Sequence, residues 1–284
     1  MTEAATLLQQ EPVIRLGFFA GTLALMLLLE SLFPRRKRRL PRLERWPGNF
    51  GIAMLNTFIV RLAFPVALVG FAAGLEAGGQ GLLNQLELPA PITIALALIM
   101  LDLVIWAQHV LFHRFPVLWR FHSMHHMDLD IDATSGTRFH PIEILISVLI
   151  KFAAIRALGP PAVAVLWFEV ILNAAATFNH ANLKLPVALD HLLRIMIVTP
   201  DMHRIHHSMR PAETHSNFGF NLSIWDRLFG TYVAEPEAGH KDMDIGLPDF
   251  QDNEMVQRID RMLAAPFGPH FRPGPESQDR NQDR

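Results

Sequence analysis

The chain has 284 residues, half of them hydrophobic and 18% charged, with a mean hydropathy of +0.22 and a formal net charge of -2. That is too apolar for an ordinary soluble domain of this length, and the near-neutral charge leaves no footprint for nucleic acid. The absence of cysteine excludes disulfides, iron–sulfur and haem-thiolate ligation and cysteine-bound zinc, whereas fourteen histidines are many for the length.

Three apolar stretches come first. Residues 12–33, PVIRLGFFAGTLALMLLLESLF, carry one Arg near the start and one Glu near the end. Residues 50–75 are interrupted only by Asn56 and Arg61, and residues 89–112 contain one acid, Asp102. Each reaches the roughly 20 residues needed to cross a bilayer. No basic segment precedes the first, so it reads as a retained span rather than a signal peptide. Between the first two lies RRKRRLPRLER (35–45), with seven Lys and Arg in eleven residues. Beside a span, the positive-inside rule assigns such a run to the cytoplasm. The N-terminus is then outside, residues 34–49 are cytoplasmic, and the third span ends inside near His109 and His113.

A further apolar block, 141–178, is broken by Gly159-Pro160-Pro161, a turn signal. Lys151, Arg156 and Glu169 leave open whether its arms are two full crossings or a hairpin that dips in and returns. Either way the chain re-emerges where it entered. His122, His125, His126, His180, His203, His206 and His207 thus share one cytoplasmic face with His109 and His113, and residues 181–284 stay there. The expected fold is an all-α integral membrane bundle of four or five crossings with a cytoplasmic helical cap. The expected units are 1–88 (N-terminal spans and basic loop), 89–235 (histidine-rich core) and 236–284 (a polar tail, disordered after about 265).

HSMHH (122–126) and HRIHH (203–207) repeat one spelling, and HVLFH (109–113) ends the third span. On a helix, positions i, i+3 and i+4 fall on one face, so each cluster presents its imidazoles together. Eight titratable rings at this spacing need something to share their lone pairs, and neutral imidazole is the commonest metal ligand. Eight or nine nitrogen donors exceed what one ion takes, so two ions are implied. Zinc hydrolases of the His-Glu-x-x-His type need a Glu beside the first His, and none is present. Carboxylate di-iron bundles need paired Glu-x-x-His, and Glu237–His240 is a single copy in a polar segment. Imidazole suits Fe, Zn, Cu and Ni. A metal transporter or sensor is the non-enzymatic alternative and a zinc-dependent membrane hydrolase the enzymatic one. A transporter, however, places its ligands near the bilayer midplane rather than at span ends.

The order His-x-x-x-His, His-x-x-His-His, His-x-x-His-His resembles the fatty acid hydroxylase/sterol desaturase superfamily of membrane di-iron enzymes. The likeness covers about residues 90–235. It includes LDLVIWAQHVLFHRFPVLWRFHSMHHMD, TRFHPIE, FNHANL, TPDMHRIHHS and NFGFNLSIWDRLFGTY. It implies metal ligation by His109, His113, His122, His125, His126, His203, His206 and His207, with His180 as the ninth ligand. Where some members carry a further His, this chain has Lys184. It also implies two iron ions and O2-dependent hydroxylation, desaturation or ether cleavage of a lipid. Electrons then come from a separate reductase, ferredoxin or cytochrome, since no nucleotide-binding fingerprint is visible.

Other residues carry weaker expectations. Asp102, two turns before His109, either orients an imidazole or is a polar residue near the interface. His140 is a helix-start or supporting residue, and His215 follows the last cluster closely. Arg138 and Glu143 are expected to form an ion pair. His191, His240 and His270 are expected to face solvent. IWDRLFGTY (224–232) reads as a packed or interfacial helix ending at Gly230.

Overall fold

The computed structural model describes residues 8–268. The tail beyond 268, including His270, lies outside the described residues, while Ala265–Phe267 form a 3-10 turn. Helices run through the whole, and among the described residues there is no strand, only three isolated bridges.

Helix α1 (Glu11–Leu32), helix α2 (Arg42–Ala63), helix α3 (Leu68–Ala77) and helix α4 (Ala90–Arg114) form the first part of the bundle. The second apolar stretch is therefore two helices, interrupted at residues 64–67 around Pro65, whose missing N–H and fixed φ end a helix. Helix α5 (Pro116–His126) follows α4 after a one-residue break at Phe115 and starts with Pro at its first position. Helix α6 (Pro141–Leu158) and helix α7 (Ala162–Asn179) form the expected hairpin. His140 caps α6 by accepting a hydrogen bond from the Ile142 N–H at 3.2 Å, which settles it as a helix-start residue. Gly159 ends α6 at φ 58°, a left-handed conformation that glycine adopts without cost, and a Cβ there would run into the Gln80 carbonyl.

Among the described residues, four helical segments are long and apolar enough to cross a bilayer: Glu11–Leu32, Arg42–Ala77, Ala90–Arg114 and Ala162–Asn179. Helix α6, which is not one of these four, packs beside α2, α3 and α4. At its far end the Leu82 N–H donates to the Ala157 carbonyl, and the Ala162 N–H donates to Glu76. The hairpin turn therefore sits level with the end of α3, opposite the histidines. The buried apolar core between these helices includes Leu68, Ala72, Leu101, Ile105, Ile155, Val165 and Phe168. The outward faces stay apolar and exposed, as at Val13, Leu16, Met54, Phe58 and Leu62, which is the surface a lipid solvent requires.

The rest of the chain closes the histidine end. Helix α8 (Val187–Leu193), helix α9 (Pro200–His206), helix α10 (Pro211–Thr214) and helix α11 (Ile224–Leu228) precede helix α12 (Gly239–Asp242), helix α13 (Asn253–Gln257) and helix α14 (Ile259–Ala264). Phe250, Val256, Met262 and Ala265 pack with Ile52, Met124 and Met127 in a second core beneath α5.

Part of the chain after residue 181 packs back along α4. Asp102 accepts from the Asn221 and Leu222 N–H groups and from Trp225 Nε1. The Trp106 indole donates to Asp226 at 3.1 Å and stacks on Phe229. Segment 218–229 thus lies along α4 well inside its C-terminus, about 12 Å from it at Trp106 by helix rise. Buried polar groups on α4 needed partners, and this segment supplies them.

Candidate metal centre

The last two turns of α4 carry His109 and His113. Helix α5 carries His122, His125 and His126, the end of α7 carries His180, and α9 with its C-cap carries His203, His206 and His207. Local sequence sets each carrier. Thr199 caps α9, its hydroxyl accepting from the Met202 N–H, and Pro200 takes the first helical position. Gly136 lets the 132–138 turn lie against the end of α7, because a Cβ there would stand 2.6 Å from the Ala176 carbonyl.

All nine rings are buried, none more than 5% exposed. They converge as two sets. His109, His113, His122, His126 and His206 form one, and His125, His180, His203 and His207 form the other, with one donor atom from every member within 4.8 Å of the rest of its set.

The tautomers follow from the partners. His109 Nδ1 donates to the Phe218 carbonyl at 2.8 Å, His125 Nδ1 to the Arg138 carbonyl at 3.1 Å and His206 Nδ1 to the Ser216 carbonyl at 2.7 Å. His180 Nδ1 donates to the Ala176 carbonyl at 2.7 Å, and His122 Nδ1 lies 2.6 Å from Glu143. A carbonyl only accepts, so Nε2 of His109, His125, His180 and His206 is left as a bare lone pair. Yet His125 Nε2 faces His180 Nε2 at 3.1 Å, and His109 Nε2 faces His122 Nε2 at 3.1 Å. His203 Nε2 lies 3.0 Å from His180 Nε2. Apposed lone pairs at that distance repel unless a cation sits between them. His113 Nε2, His206 Nε2 and both nitrogens of His126 are buried with no partner in the protein. Burial also pushes His122 down to about 3 and His180 to about 4, so both are neutral near pH 7, the form that ligates. The residues present fit a pair of metal ions, with five nitrogen donors for one and four for the other.

Around the rings lies a polar frame that the sequence reading did not anticipate. Asp128, Asp130 and Asp132 follow the first triplet and meet the basic run. Arg45, fully buried, grips Asp128 in a two-pronged pair at 3.0 and 2.7 Å and reaches Asp132 at 2.5 Å. Burial alone would lift the Asp128 carboxyl, but Arg45 and Arg138 hold it well below the ordinary carboxylate range. Asp130 accepts the Arg39 and Leu40 N–H groups, and Arg35 pairs with Asp201 on α9. Glu30, at the end of α1, accepts from Arg42 and from the N–H groups of Ala133 and Asn182. Arg35, Arg42 and Arg45 of the basic run are therefore tied into the site, while Lys37 and Arg39 stay exposed. The signal was legible as three acids at alternate positions facing an arginine run.

Three further expectations change. Arg138 and Glu143 do not pair: Arg138 donates to the carbonyls of Met124 and Val256, while Glu143 holds His122. His240 is buried, 3.3 Å from Glu235, because α12 folds back toward α9. Asp102 does not touch an imidazole and anchors segment 221–225 instead. His191 is exposed as expected, and His215 stands beside the first set, its Nδ1 3.1 Å from His113 Nδ1.

Asp226, overlooked in the sequence, accepts the Phe218 and Gly219 N–H groups at 2.8 and 2.7 Å, the Trp106 indole and the Thr231 hydroxyl. It thereby fixes the peptide whose carbonyl orients His109. Asp226→Asn should lower metal retention roughly 10- to 100-fold while leaving the helical signal intact. Equilibrium dialysis with metal analysis, beside circular dichroism, checks this.

Comparison with known proteins agrees with the site. The family model described as fatty acid hydroxylase matches residues 94–231. The chain is 27% identical over 255 residues to the ornithine lipid hydroxylase of Rhizobium tropici, covering 88% of this chain and 74% of that protein. It is 30% identical over 157 residues to the alkylglycerol monooxygenase of Xenopus tropicalis, covering 54% of this chain and only 33% of that protein. A fatty acid hydroxylase of a Lecanicillium species is 29% identical over 153 residues, with 41% of its length covered. No solved structure gives a significant match. Motifs, converged histidines and relatives agree in supporting the fatty acid hydroxylase/sterol desaturase superfamily, whose hydroxylase model matches residues 94–231.

Proposed function

We propose that this chain is a membrane-bound, O2-dependent lipid oxidase of the hydroxylase type, holding two iron ions. The observation that carries the reading is the apposition of two bare Nε2 atoms, His125 with His180, beside a second set in which His109 Nε2 faces His122 Nε2. His109, His113, His122, His126 and His206 would hold one iron, and His125, His180, His203 and His207 the other. The bound irons would supply the oxidising power that O2 and two electrons provide for attack on an unactivated C–H bond. That the relatives are a hydroxylase and a monooxygenase favours insertion of one oxygen over desaturation.

The chain's own residues do the positioning. Backbone carbonyls of Phe218, Arg138, Ser216 and Ala176 fix the ring planes, and Glu143 fixes His122. Such partners hold the tautomer and raise ligand basicity. Burial of all nine rings excludes bulk water, which would otherwise intercept a reactive oxidant. The core at 89–235 carries the donors, and the N-terminal spans and the segment after 236 close around it. Electrons come from a separate electron-transfer protein, the substrate is a membrane lipid, and the histidine end faces the cytoplasm with the N-terminus outside.

Lipid mass spectrometry of aerated cells expressing the wild type, against His125→Ala, tests the activity. A lipid gaining one oxygen only with the wild type is the expected result, and identical lipidomes would exclude the reading. Because the chain has no cysteine, single cysteines at Gln9 and Lys37 report sidedness directly. An impermeant maleimide should label intact cells at Gln9 and not at Lys37, and the reverse pattern inverts the topology.

A further inference from the structure

Where α1 leaves the bundle, Pro34, Arg35, Arg36, Lys37 and Arg38 curl around a cleft of about 590 Å3 completed by Lys241. Five of the six lining residues are cationic and none is acidic. Part of this charge is met inside the protein. Arg35 pairs with Asp201 at 2.9 Å, Arg36 Nη1 donates to the Met243 carbonyl at 2.7 Å, and Arg38 approaches Glu30 at 3.8 Å. Asp130, Asp242 and Asp244 act on Arg36 from further away. The remainder is not met. Arg36 Nε and Arg38 Nε are buried without an acceptor, and Lys37 and Lys241 are exposed with no ion pair among the described residues.

A buried guanidinium N–H without an acceptor is costly, and a charged oxygen is the partner that satisfies it best. The cleft thus asks for an oxyanion. Its setting narrows the source. On the helix that leads into the cleft, Leu25, Leu28 and Leu32 lie at i, i+3 and i+7 on one face of α1, exposed by 51%, 55% and 59%, and Phe33 at its end is 57% exposed. A cationic mouth at the end of an exposed apolar strip matches a phosphate headgroup above its acyl chains. Basic residues immediately beyond a span attract anionic lipid by the same physics.

We propose that this cleft binds the phosphate of an anionic membrane lipid in the leaflet on the histidine side, its chains lying along Leu25, Leu28, Leu32 and Phe33. The site is separate from the nine histidines and does not depend on which metal they hold.

Purified full-length protein in neutral detergent, titrated with short-chain phosphatidic acid and followed by native mass spectrometry, tests the proposal. The comparison ligands are phosphatidylcholine of the same chain length and inorganic phosphate. Phosphatidic acid is expected to bind the wild type and to weaken roughly tenfold for Lys37→Gln/Lys241→Gln, whose parent side chains are exposed and unpaired. Arg61→Gln, on an exposed position of α2 away from the cleft, should bind as the wild type does. Equal retention of phosphatidylcholine, or unchanged affinity in the double variant, overturns the proposal. Displacement of phosphatidic acid by equimolar inorganic phosphate would make the cleft a free-anion site and overturn the lipid assignment.

Discussion

On the proposed two-iron reading, His203→Ala is expected to retain about one equivalent of iron against two for the wild type, with the proposed O2-dependent lipid oxidation down at least about 100-fold. The four-member set loses a quarter of its donors, whereas the five-member set is untouched. His113→Ala, which takes the larger set from five donors to four, should hold iron better than His203→Ala does. The two sets abut: His125 and His126 are neighbours on α5, and the His126 and His207 rings stack at 4.6 Å between centroids. Some weakening of the second ion is therefore expected in each variant. Anaerobic Fe(II) loading, desalting and metal analysis measure this, with thermal unfolding as the folding control. Full retention of both equivalents in His203→Ala would remove that residue from the ligand set.

Arg45→Met should be among the most damaging single changes outside the histidines. It strips buried Asp132 of its paired cation and leaves buried Asp128 with only the more distant Arg138, with no route to water for either. Breaking a buried pair from one side costs about 3–5 kcal/mol. The loss should show as a large drop in the detergent unfolding temperature and in yield. Adding Asp132→Asn to Arg45→Met removes the stranded charge, keeps Asp128 for Arg138 and should recover part of that stability, since neutral replacement of a whole buried pair is often tolerated. A single variant as stable as the wild type would mean that water reaches these carboxylates.

Much of the site was legible along the chain because its chemistry is local. Ligand spacing within a helix follows from 3.6 residues per turn, so HVLFH, HSMHH and HRIHH announced themselves without tertiary knowledge. The hairpin turn at Gly159 and the termination near Gly230 were legible for the same reason, since both carry positive φ that glycine alone adopts freely. Hydropathy and charge alone were enough to place all nine histidines at one end of the bundle, because a bilayer constrains where a chain can emerge.

What spacing along the chain does not encode is which distant groups meet. The nine donors divide five and four, with the neighbours His125 and His126 in different sets, because side chains one apart on a helix point about 100° away from each other. Arg45 finds Asp128 across 83 residues, Asp226 finds Trp106 across 120, and Glu143 holds His122 rather than Arg138. Each of these partners is chosen by burial. Once the bundle closes, a polar group removed from water takes whichever complementary group packing brings within reach, and only the folded chain decides which that is.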